Sequence, residues 1–202
     1  RPECKQALFD GLDELQVDFA HTKLFLTHLH GDHSGLTEEL TARGVPVFMN
    51  AIDYDYLCQE LASGGWQAME QIFLSEGFPM KEIEKQKKGN QARLYSPHHP
   101  FPASKVSDND LLTVGGITLR CIHTPGHTPG HTCLYIEDKE ILFSGDHILF
   151  DITPNISVWR NIPYSLADYL ESLQKINSLK VSHTFPGHRE FHGDIQDRID
   201  AL

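Results

Sequence analysis

The residues best suited to chemistry lie at positions 28–33, where the chain reads His-Leu-His-Gly-Asp-His directly after an apolar stretch at 23–27. Imidazole and carboxylate side chains are ligands that zinc, iron and manganese accept. A tight turn at the end of a strand can aim such side chains into one cavity. We therefore interpret the motif as a metal site rather than as a His-rich surface turn.

Three later turns carry the same kinds of side chain. Each follows an apolar segment and contains glycine, with proline in two of them, and these residues suit sharp backbone bends. The turns read Thr-Pro-Gly-His-Thr-Pro-Gly-His at 124–131, Ser-Gly-Asp-His at 144–147 and Pro-Gly-His at 186–188. Ligands placed at neighbouring strand ends would let a sheet build a site for two metal ions.

The four ordered motifs H-x-H-x-D-H, T-P-G-H, S-G-D and P-G-H resemble those of the metallo-β-lactamase-fold hydrolases, and together they span residues 28–188. The set is far more specific than any single motif. The resemblance implies an α/β fold (α+β in some schemes), a four-layer αβ/βα sandwich with helices outside two sheets. It also implies a binuclear metal centre. The first metal would bind His28, His30 and His127, the second would bind Asp32, His33 and His188, and Asp146 would bridge the two.

The resemblance further implies two divalent cations, zinc in the first place, although iron and manganese accept the same ligands. Such a pair holds a hydroxide that attacks a carbonyl or phosphoryl centre. Asp32 would orient this hydroxide as well as bind metal, so it is the candidate catalytic residue. Asp146 stands where β-lactamases of the commonest subclass carry a cysteine, which argues against antibiotic hydrolysis.

The segment at 124–131 is similar to sequences of the glyoxalase II and lactonase branch, which implies hydrolysis of a thioester, an ester or a lactone. Two enzymatic alternatives stay open: a persulfide dioxygenase with a single iron, and a metal-dependent phosphodiesterase or ribonuclease. The full second ligand set counts against the dioxygenase. The net charge of -11 counts against nucleic-acid substrates. We expect a small-molecule substrate, although a noncatalytic binding role also stays open.

The elements that must position these turns follow from the apolar pattern. It predicts a strand at 23–27, a helix at 34–43 and a strand at 45–49, with the first ligand turn at the end of the first strand. Hairpins are predicted at 111–122, turning at Gly115-Gly116, and at 132–143. Prolines indicate a loop at 95–108. A strand at 181–185 should precede the last ligand.

Two helices are predicted in the last part of the chain, one starting near residue 165 and one at 194–202. Ser165 followed by Asp168 indicates the capped start of the earlier helix. Its predicted apolar face comprises Leu166, Tyr169, Leu170, Leu173 and Ile176.

Residues 1–202 are expected to form one domain, because this length and an apolar content of 40% suit a single core. Residues 51–93 lack strand alternation and are interpreted as a helical insert over the metal cleft. The insert's candidate pocket residues are Tyr54, Tyr56, Trp66, Met69, Phe73 and Phe78, although most of them are expected to pack the insert onto the sandwich. Fewer residues precede the metal motif than in most family members, so we expect an incomplete N-terminus.

The remaining composition bears on compartment and partners. Four cysteines without a Cys-x-x-Cys pair indicate reduced thiols and a cytoplasmic protein. No apolar run approaches the length of a membrane span, so no membrane association is expected. A homodimer is left open. Among the other histidines, His131 is expected to support the ligands or pack, His98 and His99 to be exposed, and His147 either to pack or to line the cleft.

Overall fold

The computed structural model describes residues 2–63, 65–90, 94–159 and 161–202. The side chains of residues 63–69, and with them the pocket candidates Trp66 and Met69, lie outside this description. The chain forms two compact units whose segments alternate along the sequence. The first unit comprises Arg1–Phe25, His30–Val47 and Asp55–Ser104, and the second comprises Leu26–Leu29, Phe48–Tyr54 and Lys105–Leu202.

The predicted strand, helix, strand arrangement around the first ligand turn is confirmed. Its elements are β1 (Leu24–Leu26), α2 (Gly31–Ser34), α3 (Thr37–Thr41) and β2 (Val47–Asn50), preceded by α1 (Pro2–Glu14) and a 3₁₀ turn (Phe19–His21). The predicted helix at 34–43 differs in two ways, since it starts at Gly31 and is broken into two short helices. The second half of the ligand motif is therefore helical.

Residues 51–93 are helical over most of the part that the structure describes, as predicted. The helices are α4 (Ala51–Ser63), α5 (Gly65–Ser75) and α6 (Met80–Gly89). The prediction of a continuous loop at 95–108 is wrong, because β3 (Ser104–Val106) lies within it and completes a sheet of order β1-β2-β3. The single domain and the position of the insert over a cleft stay predictions.

A second, five-stranded sheet follows in chain order. Its strands are β4 (Leu111–Val114), β5 (Ile117–His123), β6 (Thr132–Ile136), β7 (Ile141–Gly145) and β8 (His183–Pro186), in the order β4-β5-β6-β7-β8. Both predicted hairpins are confirmed, since Val114 pairs with Ile117 and Ile136 pairs with Ile141. The last strand, β8, runs parallel to β7.

The register of this sheet gathers three ligand turns at one end. The end of β5 pairs with the start of β6 through His123 and Thr132, and the parallel ends of β7 and β8 meet at Gly145 and Pro186. Because β6 runs antiparallel to β7, it begins where β7 ends. The turns at 124–131, 144–147 and 186–188 therefore leave the sheet on the same side.

Helix α7 (Ser165–Asn177) contributes a narrower apolar face than predicted. Its residues Tyr169, Leu173 and Ile176 are buried in the core cluster, whereas Leu166 and Leu170 are exposed. The capping prediction is wrong, because the N-cap residue is the one before Ser165 and makes no side-chain capping bond. Ser165 is instead the first helical residue.

The closing helix α8 (Ile195–Asp200) confirms the helix predicted at 194–202. Asp194 caps it, because its side chain accepts hydrogen bonds from the backbone N–H groups of Gln196 and Asp197. Throughout the described part of the chain, no helix has both the length and the apolar character needed to cross a bilayer.

Candidate metal centre

His28 and His127 converge within the second unit. Both side chains are buried, and their ring centroids lie 4.8 Å apart with the ring planes inclined at 79°. One potential ligand atom of each also lies within 4.8 Å of the other. The Nδ1 atom of His28 lies 3.0 Å from the hydroxyl oxygen of Thr27. This contact engages Nδ1, so Nε2 is the nitrogen of His28 suited to bind a metal.

The orientation of the His127 ring is fixed by a separate loop. Its Nδ1 lies 2.7 Å from the carbonyl oxygen of Asn155, which can only accept, so we assign the ring proton to Nδ1. The indole N–H of Trp159 donates to the carbonyl of His127 over 3.1 Å. In the neutral ring Nε2 therefore carries the lone pair, and this atom lies 3.5 Å from Oδ2 of Asp146.

Asp146 joins the turns that follow β7 and β8. Its Oδ2 lies 3.3 Å from Nε2 of His188 as well as 3.5 Å from Nε2 of His127. A ligand atom of Asp146 also lies within 4.8 Å of one on His28. The carboxylate is buried, whereas the His188 side chain is 35% exposed. This donor set of imidazole nitrogens around a shared carboxylate fits divalent transition metals.

His131 supports the site, as predicted, through the backbone of Asp146. The N–H of Asp146 donates to Nε2 of His131 over 3.1 Å, so Nδ1 carries the ring proton and faces Thr124 Oγ1 at 2.8 Å. Gly145 is required beside it, because its φ is 52° and an added Cβ would lie 2.7 Å from Nε2 of His131.

His30, Asp32 and His33 lie in the first unit, at the start of α2. His30 is the N-cap residue with extended backbone (φ -60°, ψ 148°), and Oδ2 of Asp32 lies 3.8 Å from Nε2 of His33. Only Leu29 separates His28 from His30, so their Cα atoms lie within about 7 Å of each other. The predicted ligands thus form one cluster in the second unit, His28, His127, Asp146 and His188, and a second group in the first.

A buried carboxylate that the sequence did not single out is Asp53, in the first turn of α4. It accepts hydrogen bonds from Leu29 in the first ligand motif, and from Thr128 and Gly130 in the second. A single acidic residue at a helix start is too common to indicate such a role from sequence. Its significance lies in the three donors, which are all distant from it in the chain. Two of them, Leu29 and Thr128, directly follow predicted ligands.

The other histidines fall outside the cluster. His147 is fully buried and packs edge-on against Tyr169, with ring centroids 5.1 Å apart. Burial lowers the pKa of His147 to about 3, so the ring is neutral. Of the two roles left open for it, packing is therefore the one observed. His98 and His99 are exposed, as predicted.

Two of the aromatic pocket candidates pack on each other within the first unit. The rings of Phe73 and Phe78 have centroids 5.3 Å apart, and the two residues are 37% and 53% exposed. Their contribution to a substrate pocket stays a prediction.

The chain is similar to a known protein family over most of its length. The family model of the metallo-beta-lactamase superfamily matches residues 21–188. A protein of Aspergillus fumigatus named atrochrysone carboxyl ACP thioesterase is 30% identical over 200 residues, covering 98% of this chain and 35% of its own length. An acyl-coenzyme A thioesterase of Bos taurus is 29% identical over 168 residues, covering 80% of this chain and 54% of its own length.

Solved structures give the same result. A metallo-beta-lactamase family protein of Thermus thermophilus superposes with a TM-score of 0.81 at 29% identity, over 98% of this chain and 64% of that one. A beta-lactamase domain protein of Burkholderia ambifaria gives 0.74 at 26% identity, over 90% of this chain and 53% of its own. The chain spans about half or less of the length of the two curated relatives. The matched family model and the shared mixed α/β fold show that the chain belongs to the metallo-beta-lactamase superfamily.

Proposed function

We propose that the protein is a metal-dependent hydrolase of thioester bonds that uses two divalent cations. The observation that carries the proposal is the convergence of His28, His127, Asp146 and His188 on one another within the second unit. His30, Asp32 and His33 would complete the ligand set, because they follow His28 closely in the chain.

The proposed ligands divide into two groups with a common member. We propose zinc for both positions. When bound, such a pair of cations supplies Lewis acidity that activates water near neutral pH and polarises a carbonyl oxygen. His28, His30 and His127 would hold one cation, Asp32, His33 and His188 the other, and Asp146 would contact both.

The chain's own residues would do the remaining work. Asp32 is an exposed carboxylate beside His33, so it can accept a hydrogen bond from the attacking water and orient it. Asn155 and Thr27 hold the rings of His127 and His28, so these ligands would need little rearrangement during turnover.

The thioester preference is supported by the names of two relatives, an ACP thioesterase and an acyl-coenzyme A thioesterase. Both matches cover most of this chain. We therefore propose a small-molecule acyl thioester as the substrate. Esters and lactones present the same kind of carbonyl centre, so they are the comparison substrates in the test below.

The test measures turnover of an acyl thioester, an ester and a lactone by zinc-loaded wild-type protein and by Asp32→Ala. Removal of the water-orienting carboxylate should lower thioester turnover at least about 100-fold. The matched control is Glu38→Ala, which removes an exposed carboxylate on α3 and should leave turnover unchanged.

Two results would contradict the proposed mechanism, and a third would change the proposed substrate class. One is thioester turnover that persists in Asp32→Ala at normal metal content, which would remove Asp32 from the mechanism. The other is a wild-type protein that binds metal and hydrolyses none of the three substrates. Turnover of the lactone or ester alone would replace the proposed substrate class.

A further inference from the structure

Asp53 is a buried carboxylate that bonds to two of the segments that carry ligands in the second unit. The side chain is fully buried, and its Oδ2 accepts the backbone N–H of Leu29 at 3.0 Å and the hydroxyl of Thr128 at 2.7 Å. Its Oδ1 accepts the backbone N–H of Gly130 at 2.5 Å. Both oxygens are therefore engaged by groups outside its own helix.

Two of the three donors lie directly beside proposed metal ligands. Leu29 directly follows His28, and Thr128 directly follows His127. Asp53 thus connects the backbone after β1 to the turn between β5 and β6, which are the two segments that bring the His28 and His127 rings together.

The turn is shaped to receive Asp53. An added Cβ at Gly130 would contact the backbone nitrogen of Asp53 and would lie 2.8 Å from its Oδ1, so a larger residue there would push the helix start away. The close approach explains a glycine at this point of the motif without any need for an unusual φ.

The chemistry of the three donors calls for a carboxylate. An ionised carboxylate only accepts hydrogen bonds, and both of its oxygens are used here. An asparagine would place its NH₂ group against the N–H of either Leu29 or Gly130, whichever way the amide is turned. Two donors cannot bond to each other, so one backbone N–H would lose its partner.

Keeping this carboxylate in the interior is costly. Burial raises the pKa of Asp53 to about 6, although the hydrogen bonds from Thr128, Gly130 and Leu29 each act to lower it. An apolar residue of similar size would avoid the desolvation. The presence of a carboxylate at position 53 is therefore best explained by the two segments that its hydrogen bonds hold together.

We propose that Asp53 is a positioning residue that sets the spacing of His28 and His127 by holding together the two turns that carry them, and thereby sets the affinity for metal. This inference rests on the proposed function, since it takes both histidines to be metal ligands. Asp53 itself binds no metal in this account.

The test measures metal affinity by competition with a chromophoric chelator, together with the visible spectrum of the cobalt-loaded protein. The first variant is Asp53→Asn. The second is Thr128→Val, which removes one of the three hydrogen bonds at nearly constant side-chain volume. A third variant, Thr128→Ser, keeps the hydroxyl. The control for general destabilisation is Ile176→Ala, in the core of the second unit and outside the ligand turns.

We expect Asp53→Asn to weaken metal binding about 10- to 100-fold, as for other residues that orient metal ligands, and to alter the cobalt spectrum. Thr128→Val should lose less metal affinity than Asp53→Asn, and Thr128→Ser should bind metal with wild-type affinity. Ile176→Ala should lower the unfolding midpoint and leave affinity and spectrum unchanged. Thr128→Val and its rescue decide the question if Asp53→Asn does not fold.

Other results would overturn the inference. Wild-type affinity and spectrum in folded Asp53→Asn, or in Thr128→Val, would show that these hydrogen bonds do not position the ligands. An equal loss of metal affinity in Ile176→Ala would show that the effect comes from general destabilisation of the fold. In either case the proposed function would still hold if the wild-type protein binds metal. A wild-type protein that binds no metal would overturn the proposed function and the role of Asp53 together.

Discussion

At the scale of single residues, burial decides which side chains of the second unit can ionise or react. The imidazole of His147 is kept neutral in the core, and the thiols of Cys121 and Cys133 are enclosed within β5 and β6. Burial raises the pKa of each of these thiols to about 12. The thiolate is the reactive form, so both cysteines should be inert in the folded protein.

Thiol reactivity therefore gives a residue-scale prediction. At pH 8, a thiol with a pKa of about 12 is ionised in only about one molecule in ten thousand. Cys4 is exposed. We expect a disulfide reagent to modify Cys4 in the native protein and to leave Cys121 and Cys133 unmodified until the protein is unfolded.

The measurement is a colorimetric thiol count at pH 8 with and without denaturant, followed by peptide mapping to identify the modified sites. Cys58, which is half-buried, is replaced by serine to simplify the count. Fast native modification of Cys121 or Cys133 would contradict the burial of these two thiols.

The candidate ligands could be predicted from the sequence because their side-chain chemistry is distinctive. Histidine and aspartate next to glycine at a strand end have few structural uses, which singles out residues such as His127 and Asp146. Apart from His131, the supporting residues could not be found in this way. Asp53 and Asn155 act through hydrogen bonds to partners remote in the chain, and nothing in their local sequence marks them.

Among the strands and helices, the strand ends determine where the candidate ligands lie. Alternation and turn residues predicted both hairpins of the five-stranded sheet. The parallel pairing of β7 with β8 could not be predicted, because residues 146–182 intervene and no local signal records which strand will be a neighbour. That pairing is what brings Asp146 and His188 together.

Two element-scale predictions failed for identifiable reasons. β3 has three residues, which is too short for alternation to show, and the prolines before it favoured a loop. The capping signal at Ser165 has the right residue types, but the helix begins one residue earlier than such a cap requires. The hydroxyl of Ser165 therefore does not stand at the cap position.

Helix α7 provides a stability prediction. Ile176 is fully buried, whereas Leu170 is 48% exposed on the same helix. Ile176→Ala should lower the free energy of unfolding by about 2–5 kcal/mol, because it removes buried methyl groups and leaves a cavity. Leu170→Ala is the matched control and should cost less than about 1 kcal/mol.

Urea denaturation followed by circular dichroism gives both values. Equal losses for the two substitutions would contradict the observed orientation of α7. A larger loss of unfolding free energy for Leu170→Ala would support the broader apolar face predicted from the sequence.

At the scale of the whole molecule, the family and the fold were predictable because four motifs occur in the right order over nearly the entire chain. Composition alone only narrowed the possible functions. The net charge of -11, for example, counts against nucleic-acid substrates. The division into two units was not predicted, because it depends on long-range contacts. The chain crosses from the second unit to the first between Leu29 and His30, within the ligand motif itself.

We propose that seven residues together form a centre for two metal ions: His28, His30, Asp32, His33, His127, Asp146 and His188. The most direct test is the metal content per chain, measured by elemental mass spectrometry on protein purified without added metal or chelator, for the wild type and for Asp146→Ala. We predict about two equivalents of divalent metal in the wild type and loss of both in the variant, because Asp146 would contact both ions. A single iron per chain, or no metal even after zinc is added, would contradict the claim.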